Sequence, residues 1–453
     1  MLFKRASDKY SLYIASIYPK DKLFFCRMDL LFRNELINDR YLKDECTEVF
    51  NLKSYLIHMI LLFISIKNLL KAKICGLKTV HYMIDIKNSN GYYDFRSKEI
   101  LDLIQPNKTI NFMHINSKKY SLFNFNKKSN VIYFESFYEV LKPILKVKKI
   151  LVNNFSFRNE IKDNEVNSIL HKHHKFYSDA YYIYIISKFL FKFLNVEKFI
   201  SLDDSRYSNE LLLITKEMNI FSIGYMHGSF NKYHLGLFNF EYDKYLVWNN
   251  YFKDKILNQS NKYQSENIEV VGHFRIGDYL DNVIKKRNIL WIGESNINYD
   301  EILPFIIELL INGYTIVFRG KPGTTNSLKS FLDEHKIKID YSKNIFESLN
   351  NCYIGLVVGT HSTVLMESWI VGVPSLALKC SYDYGSHLWE SNVTKLCLKP
   401  ELLVYEVEKY FHMSNESIKK HSNKIWGEHY IFNRTKVESI INLNYASKNN
   451  GIY

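Results

Sequence analysis

The sequence has few cysteines for its length, and none of them has a spacing typical of metal or redox sites. Its 453 residues contain six cysteines, with no C-x-x-C pair. In a chain of this size, scattered cysteines indicate reduced thiols in a cytosolic setting, and they argue against a disulfide framework or a zinc site. No metal motif appears elsewhere. We therefore expect a cytoplasmic protein with no metal and no bound cofactor.

Long apolar runs are also absent from the sequence. The N-terminus lacks the apolar core of a signal peptide. The most apolar window, Tyr55 to Ile66, is shorter than the roughly 20 residues of a membrane-spanning helix, which predicts a buried helix there. Any membrane contact is then expected to be peripheral. The basic, aromatic segment Tyr181 to Leu194 is read as a core helix, with a helix resting on the membrane surface as the alternative.

Acidic residues are outnumbered by basic ones, and the formal net charge is +13. No arginine-rich tract or nucleic-acid motif accompanies this excess, so it favours an anionic membrane surface or anionic substrates as its cause. We expect no nucleic-acid partner. A basic nucleic-acid-binding protein is the remote alternative, which salt-sensitive binding to arbitrary DNA or RNA would reveal.

The length and the pattern of apolar runs predict two α/β domains. A chain of this size is too long for one ordinary core, and 47% hydrophobic with 24% charged residues is a globular composition. Short apolar runs alternate with helical stretches, which indicates parallel sheets. The charged segment Leu280 to Asn288 resembles a hinge, so we place the domains at 1–280 and 288–453.

Two predicted strands of the first domain end in residues suited to proton transfer. One strand ends at Asp203 and Asp204, and the next along the chain ends at His227 and Gly228. Carboxyl ends of parallel strands lie at one edge of the sheet, where ligands bind in α/β proteins. A carboxylate and a histidine there can act as a general base and the group that orients it. The alternative for one of the two aspartates is a helix cap.

The second domain contains a strand-to-helix turn suited to binding an anion. An apolar strand stops at Gly359, a polar turn follows over Thr360–Thr363, and a short helix ends at Gly372. The first N–H groups of such a helix lack partners, and the helix dipole adds about half a positive charge, so phosphate is a fitting ligand. Glu367 lies one turn after the start of the helix.

A second basic segment follows the predicted strand Tyr314 to Phe318. Arg319 and Lys321 lie around glycines there, an arrangement that suits a phosphate clamp. A basic surface turn is the alternative of similar weight. The segment is not a P-loop, because the G-x-x-x-x-G-K-[ST] spacing is missing.

Taken in order, these segments resemble the two-Rossmann glycosyltransferase architecture called GT-B. The resemblance covers about Lys198 to Leu398 and is greatest to the bacterial capsule and surface-polysaccharide branch, which includes Kdo transferases, polysialyltransferases and teichoic-acid glycerophosphotransferases. The motifs that carry it are His227-Gly228, D-x-x-L-V-W at Asp243 to Trp248, V-V-G-H-F-R-I-G-D at Val270 to Asp278, the basic loop Arg319 to Pro322, and G-T-H-S-T-x-x-x-E-S-W-x-x-G-V-P at Gly359 to Pro374.

The resemblance implies roles for individual residues. In that branch the basic loop and the Ser/Thr-rich turn hold the phosphate of a nucleotide sugar, and a glutamate on the following helix meets the ribose. The chain departs from the branch in having Lys321-Pro322 where His-Pro is frequent, and Ser205 where a glycine is expected. The residues implied to bind the donor are Gly293, Glu294, Ser295, Arg319, Lys321, Gly359, Thr360, His361, Ser362, Thr363 and Glu367, with Gly228, His273 and Arg275 on the acceptor side or in the cleft.

The function implied is transfer of a sugar from a nucleotide-sugar donor to a growing surface glycan, such as capsule, lipopolysaccharide or O-antigen. The two Rossmann-like domains would face each other across a cleft, with the donor on the second domain. The nucleotide sugar is a substrate, the acceptor is a glycan or a lipid-linked sugar, and the enzyme would work at the cytoplasmic face of the membrane without a metal. A sugar-nucleotide epimerase or a polyol-phosphate transferase of the same fold is the nearest alternative.

Overall fold

The computed structural model describes most of the chain from residue 52 onward. The described residues are 52–85, 97–104, 108–115, 130–144, 174–203, 207–228, 240–260, 262–274, 287–294, 297–320, 322–342, 344–381, 388–389, 391–427 and 430–443. All statements on the structure below concern these residues.

The first half of the chain forms a parallel sheet of seven described strands. Most of these strands are nearly continuous apolar runs, as parallel strands covered on both faces require. Their order across the sheet is β3-β2-β1-β4-β5-β6-β7. The strands are β1 (Thr79–Asp85), β2 (Thr109–Ile115), β3 (Val131–Ile132), β4 (Lys198–Leu202), β5 (Phe221–Tyr225), β6 (Lys244–Val247) and β7 (Ile268–Val270).

The second half forms a parallel sheet of six described strands in the order β10-β9-β8-β11-β12-β13. Renumbered from its own first strand, this order is 3-2-1-4-5-6, the arrangement of the Rossmann fold. The first sheet has the same order with one strand added at its edge. The strands are β8 (Asn288–Gly293), β9 (Thr315–Gly320), β10 (Lys338–Ile339), β11 (Ile354–Gly359), β12 (Ser375–Leu378) and β13 (Lys395–Cys397).

Helices connect the strands and cover the sheets. Short 3-10 turns occur at Ser265–Asn267, Tyr299–Glu301 and Ser368–Val371. The α-helices are α1 (Leu52–Ile74), α2 (Lys98–Leu103), α3 (Phe134–Ile144), α4 (His174–Leu194), α5 (Ser208–Glu217), α6 (Asn250–Gln259), α7 (Leu303–Ile311), α8 (Pro322–Ser327), α9 (Lys329–Glu334), α10 (Ile345–Asn351), α11 (Val364–Glu367), α12 (Pro400–Phe411), α13 (Asn415–Trp426) and α14 (Arg434–Ile441).

The predicted fold class is confirmed: the chain is an α/β protein with two Rossmann-like domains facing each other. The two sheets approach at their carboxyl ends, because His273, three residues after β7, donates a hydrogen bond to Glu367 of α11. A cleft lined by the ends of both sheets is the consequence. The predicted hinge falls largely within residues 275–286, outside the described residues, so the domain limits stay a prediction.

The C-terminal segment returns to the first domain. The N–H of His273 donates to the carbonyl of Tyr430 at 2.9 Å, and the N–H of Asn433 donates to that of Val271 at 2.8 Å. Gly272 permits this approach, because a Cβ there would lie 2.1 Å from the carbonyl oxygen of Ile431. Its φ of +81° also favours glycine. The glycine of the V-V-G-H motif therefore has a packing role.

Helix α1 corrects one expectation. The predicted buried window was twelve residues, but the helix has 23 residues and runs to Ile74. By length and composition it is the one described helix that is long and apolar enough to cross a membrane. It is also buried on one side only, with Phe63 and Ile74 exposed. The length of the helix was underestimated because lysines interrupt the apolar run in the sequence. On the helix these lysines lie beside the exposed apolar side chains.

Candidate active site

Asp203 and His227 meet because they follow adjacent parallel strands. In the pairing of β4 with β5, Leu202 lies opposite Tyr225. Asp203 is the next residue after β4, and its N–H donates to the carbonyl of Tyr225 at 3.0 Å. His227 follows β5 by two residues. The strand register thus brings the two predicted side chains to the same point of the carboxyl edge.

The geometry of the pair fixes the role of each nitrogen of the histidine. His227 Nδ1 lies 2.6 Å from Asp203 Oδ1, and the N–H of His227 donates to the same oxygen at 3.2 Å. A carboxylate can only accept, so Nδ1 carries the proton and Nε2 is the basic nitrogen of the neutral ring. The Asp203 side chain is buried at 4% exposure, whereas that of His227 is 27% exposed. The histidine is the member of the pair that faces the solvent.

Tyr245 holds the other side of the carboxylate. Its O–H donates to Asp203 Oδ2 from β6, the strand on the other side of β5. Burial, followed by the nearby charge of Asp203, raises the pKa of Tyr245 well above its usual value, so this phenol stays protonated as a donor. Asp203 is therefore oriented from two sides, and it in turn fixes the imidazole of His227.

In the second domain, a carboxylate of the chain itself occupies the predicted anion site. β8 and β11 are neighbours in the sheet, so Glu294, just after β8, lies beside the turn that follows β11. Its carboxylate accepts from the N–H groups of Thr360 at 2.6 Å and His361 at 2.7 Å, and from that of Ser362. We call residues 360–362 the β11 turn. The Thr360 hydroxyl also donates to Glu294.

The N–H groups of the β11 turn have an acceptor in this structure, and phosphate as their ligand stays a prediction. Three consecutive amides converge on one anionic group, as predicted for a strand that ends directly at a helix. The anion in this structure is Glu294, which is 6% exposed. A donor phosphate at the β11 turn would have to displace it. Phosphate binding by Ser362 and Thr363 thus stays a prediction, and so does a donor contact by Glu294.

Glu367, predicted to meet a ribose, lies in the interior between the domains. Its Oε1 accepts from His273 Nε2 at 3.0 Å, and the two side chains are 2% and 0% exposed. The His273 ring lies 4.2 Å from that of Trp248 and 5.6 Å from that of Trp426. A ribose contact by Glu367 stays a prediction that requires this hydrogen bond to open. His273, predicted for the cleft, lies at the junction of the two domains.

Arg319 forms an internal ion pair. Its Nη1 donates to Asp340 Oδ2 at 2.7 Å and to the carbonyl of Ser342 at 2.8 Å. Although burial acts to raise it, the pKa of Asp340 lies below its usual value, because hydrogen bonds from Ser342, Ser348 and Arg319 favour the charged form. The guanidinium is 22% exposed, so one side still reaches the solvent. A phosphate clamp at Arg319 stays a prediction.

The glycines among the candidates have different roles. A Cβ on Gly228 would meet no atom within 4 Å, so the backbone there is open to an incoming group. At Gly293 a Cβ would clash with the ring of Phe318 at 2.3 Å, which makes that glycine a packing requirement. Gly359 is more tolerant, with its nearest neighbour in Ile292 at 3.3 Å.

Four candidates lie outside the described residues: Asp204, Arg275, Ser295 and Lys321. Their positions and roles stay predictions. Among the described residues, no group of three or more His, Cys, Asp or Glu side chains is arranged to hold a metal ion.

Sequence reasoning missed a second buried histidine–carboxylate pair at the same edge of the first sheet. His114, near the end of β2, lies 2.5 Å from a carboxylate oxygen of Glu135 at the start of α3. The ring of Tyr207 packs edge-on against His114 at 5.4 Å. The sequence carries little signal for this pair, because β3 is only two residues long, Glu135 lies in the helix that follows it, and the order of these strands was not predicted.

Comparisons with known proteins add structural similarities at low identity. No protein-family model matches the chain, and no curated protein matches it in sequence. Solved structures that align with it include the UDP-GlcNAc 2-epimerase of Methanocaldococcus jannaschii, with 14% identity, coverage of 80% of this chain and 98% of the other, and a TM-score of 0.48. MurG of Acinetobacter baumannii aligns with 10% identity, 80% and 99% coverage, and a TM-score of 0.42. The wall teichoic acid polymerase TagF aligns with 15% identity, 87% and 96% coverage, and a TM-score of 0.46. Values of this size carry no assignment of activity, which has to rest on the residues of this chain.

Proposed function

We propose that the chain is a glycosyltransferase that moves a sugar from a nucleotide-sugar donor to an acceptor hydroxyl in the cleft between the two domains. The observation that carries the proposal is the Asp203–His227 pair, with its carboxylate buried and its imidazole facing solvent at the carboxyl edge of a Rossmann-like sheet. Ligands of open α/β sheets bind at this edge. The pair supplies the base that the transfer needs.

His227 is the general base of the proposed reaction. Nε2 takes the proton of the acceptor hydroxyl as its oxygen attacks the anomeric carbon of the donor. The bond from that carbon to the nucleotide phosphate breaks, and the phosphate leaves with the electron pair. Asp203 stabilises the imidazolium that forms and keeps the ring in the tautomer with a basic Nε2.

The second domain is the proposed donor side. The leaving phosphate gains charge, and backbone N–H groups with cations stabilise such charge most effectively. The β11 turn offers three convergent N–H groups, which now donate to Glu294. Arg319 lies at the carboxyl end of β9, two strands away from β11 in the sheet. Donor binding would exchange the Glu294 carboxylate for a phosphate oxygen at the turn.

The proposed partners are a nucleotide sugar and a glycan or lipid-linked acceptor, in the synthesis of a surface polysaccharide at the cytoplasmic face of the membrane. The +13 charge of the chain suits an anionic acceptor or a surface that carries one. A sugar-nucleotide epimerase could use the same histidine for proton transfer, so the assay must separate transfer from epimerisation.

The test is an assay of the purified chain with a panel of nucleotide sugars, with and without a lipid-linked or polysaccharide acceptor. Transfer predicts nucleotide release that depends on the acceptor, together with a labelled glycan product. An epimer formed from the nucleotide sugar alone would replace the proposal with an epimerase. Transfer of a polyol phosphate, tested with a nucleotide-activated polyol added to the panel, would instead carry phosphate into the product.

A further inference from the structure

Helix α1 presents a row of apolar side chains to the outside, although it is packed against the domain on its other side. The exposed large apolar residues recur at intervals of three or four positions, so they form one row along the helix at 3.6 residues per turn. The row spans the whole helix, about 33 Å at 1.5 Å per residue. Its members are Leu52, Leu56, Ile60, Phe63, Ile66, Leu70 and Ile74.

The buried side of α1 carries three polar side chains among apolar ones, and the domain satisfies them. Asn68 Nδ2 donates to the carbonyl of Val131 at 2.8 Å, and the Ser65 hydroxyl accepts from the N–H of Tyr133 at 2.9 Å. His58 Nδ1 lies 3.2 Å from the hydroxyl of Ser136. A helix on the surface of a globular protein usually presents polar and charged residues to solvent, whereas α1 presents an apolar row there. These bonds tie α1 to β3 and α3, so the helix lies along the domain and is not available to cross a bilayer.

The charges that α1 itself carries are all positive. α1 contains four lysines and no acidic residue. Lys53, Lys67 and Lys71 lie along one margin of the apolar row and Lys73 lies along the other, and all four are exposed. An apolar row with lysines at both margins is typical of a helix that lies in the plane of a membrane surface, where the lysines reach the lipid head groups.

Helix α4 extends this surface. Its Ile185 and Phe189 are exposed large apolar residues. The Phe189 ring stacks with that of Phe193 at 6.4 Å, and Lys73 Nζ of α1 lies 5.4 Å from the centroid of Phe193. Lys192 of α4 is exposed as well. We call the apolar row of α1, together with Ile185 and Phe189, the α1–α4 face.

We propose that the α1–α4 face docks on the surface of an anionic phospholipid bilayer. Charge complementarity selects this partner, because a second copy of the chain would bring its own lysines against those of the first. The apolar row enters the boundary between head groups and acyl chains, and the lysines contact anionic head groups. Docking is independent of the proposed reaction, since no residue of the cleft takes part in it.

Vesicle flotation of the full chain tests the proposal. We expect binding to vesicles that contain anionic phospholipid, weaker binding to vesicles of phosphatidylcholine alone, and loss of the difference at high salt. The double variant Lys67→Ala/Lys71→Ala should bind anionic vesicles on the order of thirty-fold more weakly. The matched control Lys419→Ala/Lys420→Ala removes two exposed lysines of α13 and should bind like the wild type.

The apolar contribution has its own pair of variants. Phe63→Ser/Leu70→Ser should weaken vesicle binding at least about ten-fold. Leu402→Ser/Tyr405→Ser, on exposed positions of α12, should leave it unchanged. If Phe63→Ser/Leu70→Ser unfolds the chain, the variant Phe63→Trp replaces it, because this change keeps an aromatic ring at position 63. Vesicles with brominated lipid should then quench the fluorescence that this variant has in excess of the wild type.

Three results would overturn the proposal. One is a wild-type chain that does not float with anionic vesicles. Another is Phe63→Ser/Leu70→Ser protein that binds as the wild type does. The third is a dimer that this double variant converts to a monomer while vesicle binding is unchanged, which would identify a second copy as the partner. None of them depends on turnover, so failure here and failure of the proposed reaction are distinguishable.

Discussion

Each sheet places a buried carboxylate just beyond one of its strands, and the two carboxylates act on different partners. In the first domain Asp203 accepts from a histidine side chain, and that side chain is left facing solvent. In the second domain Glu294 accepts from the backbone of the β11 turn and fills it. The carboxyl edge of the sheet thus presents a proton acceptor in one domain and a covered anion site in the other. The difference predicts that chemistry depends on the first edge and donor affinity on the second.

Loss of His227 should have the largest effect. His227→Ala removes the proposed base, and turnover should fall by about 10² to 10⁴-fold. Nucleotide binding should be retained, because the donor lies on the other domain. The measurement is turnover beside nucleotide affinity by calorimetry. His412→Ala, at a side chain that is 77% exposed, is the matched control. Wild-type turnover in His227→Ala would show that His227 is not the general base and that the chemistry does not depend on the edge of the first sheet.

Removing Glu294 tests the covered anion site. Glu294→Ala frees three N–H groups of the β11 turn, so a nucleoside diphosphate should bind about ten-fold more tightly, a change of about 1.4 kcal/mol. The unliganded protein should lose about 1 to 3 kcal/mol of stability, because buried donors lose a charged acceptor. Glu334→Ala, at an exposed position of α9, is the control. Unchanged nucleotide affinity would place the phosphate away from this turn.

Glu367, in the second domain, accepts a hydrogen bond from His273, which follows the last strand of the first sheet. Glu367→Ala leaves the buried Nε2–H of His273 without its acceptor, so the free energy of unfolding should drop by about 1 to 3 kcal/mol. Glu367→Gln keeps an acceptor oxygen and should lose less. Nucleotide affinity, measured on the same variants, should also fall if the residue meets the ribose. If affinity survives the alanine change, that contact does not exist.

Arg319 should show the smallest effect, and it depends on pH. The folded-state pKa of Asp340 lies below the usual value of 3.8, so its ionised form contributes stability above that pH. This contribution is lost as the pH falls through the lower, folded-state pKa. Arg319→Gln removes one source of the shift, and the variant should be less stable than wild type at pH 7 by about 1 kcal/mol, because solvent screens the partly exposed ion pair.

The same variant should also lose less stability on acidification. Below about pH 4, where carboxylates protonate, the difference between Arg319→Gln and wild type should narrow. Thermal unfolding over a pH series measures this difference in stability. A difference that is constant with pH would show that the ion pair of Arg319 with Asp340 does not contribute to the pH dependence. Lys329→Gln, at an exposed position of α9, is the control, and nucleotide affinity on both variants tests the clamp.

The sequence pattern was sufficient to place Asp203 and His227 after two strands, and they meet because these strands are neighbours. It did not predict β2 or β13. Tyr245 could not be predicted in the same way. It lies inside β6, and its hydroxyl reaches Asp203 only through the order of the strands and the length of the side chain.

Contacts between elements distant in the chain could not be predicted either. Glu294 was a candidate by its position after β8, but its partners lie 66 to 68 residues further on, beside it only because β8 and β11 are neighbours. The outward apolar side of α1 was hidden for a related reason. A run of apolar residues predicts burial, and only the packing of β3 and α3 shows which side of the helix is covered.

The most direct test of the central claim is the melting temperature of the full chain with a panel of nucleoside diphosphates and nucleotide sugars. A ligand at a hundred times its Kd stabilises the native state by about 2.7 kcal/mol, which raises the melting temperature by several degrees. We predict such a rise for at least one nucleotide sugar, retained in His227→Ala and larger in Glu294→Ala. A panel in which no nucleotide or nucleotide sugar raises the melting temperature would contradict the account.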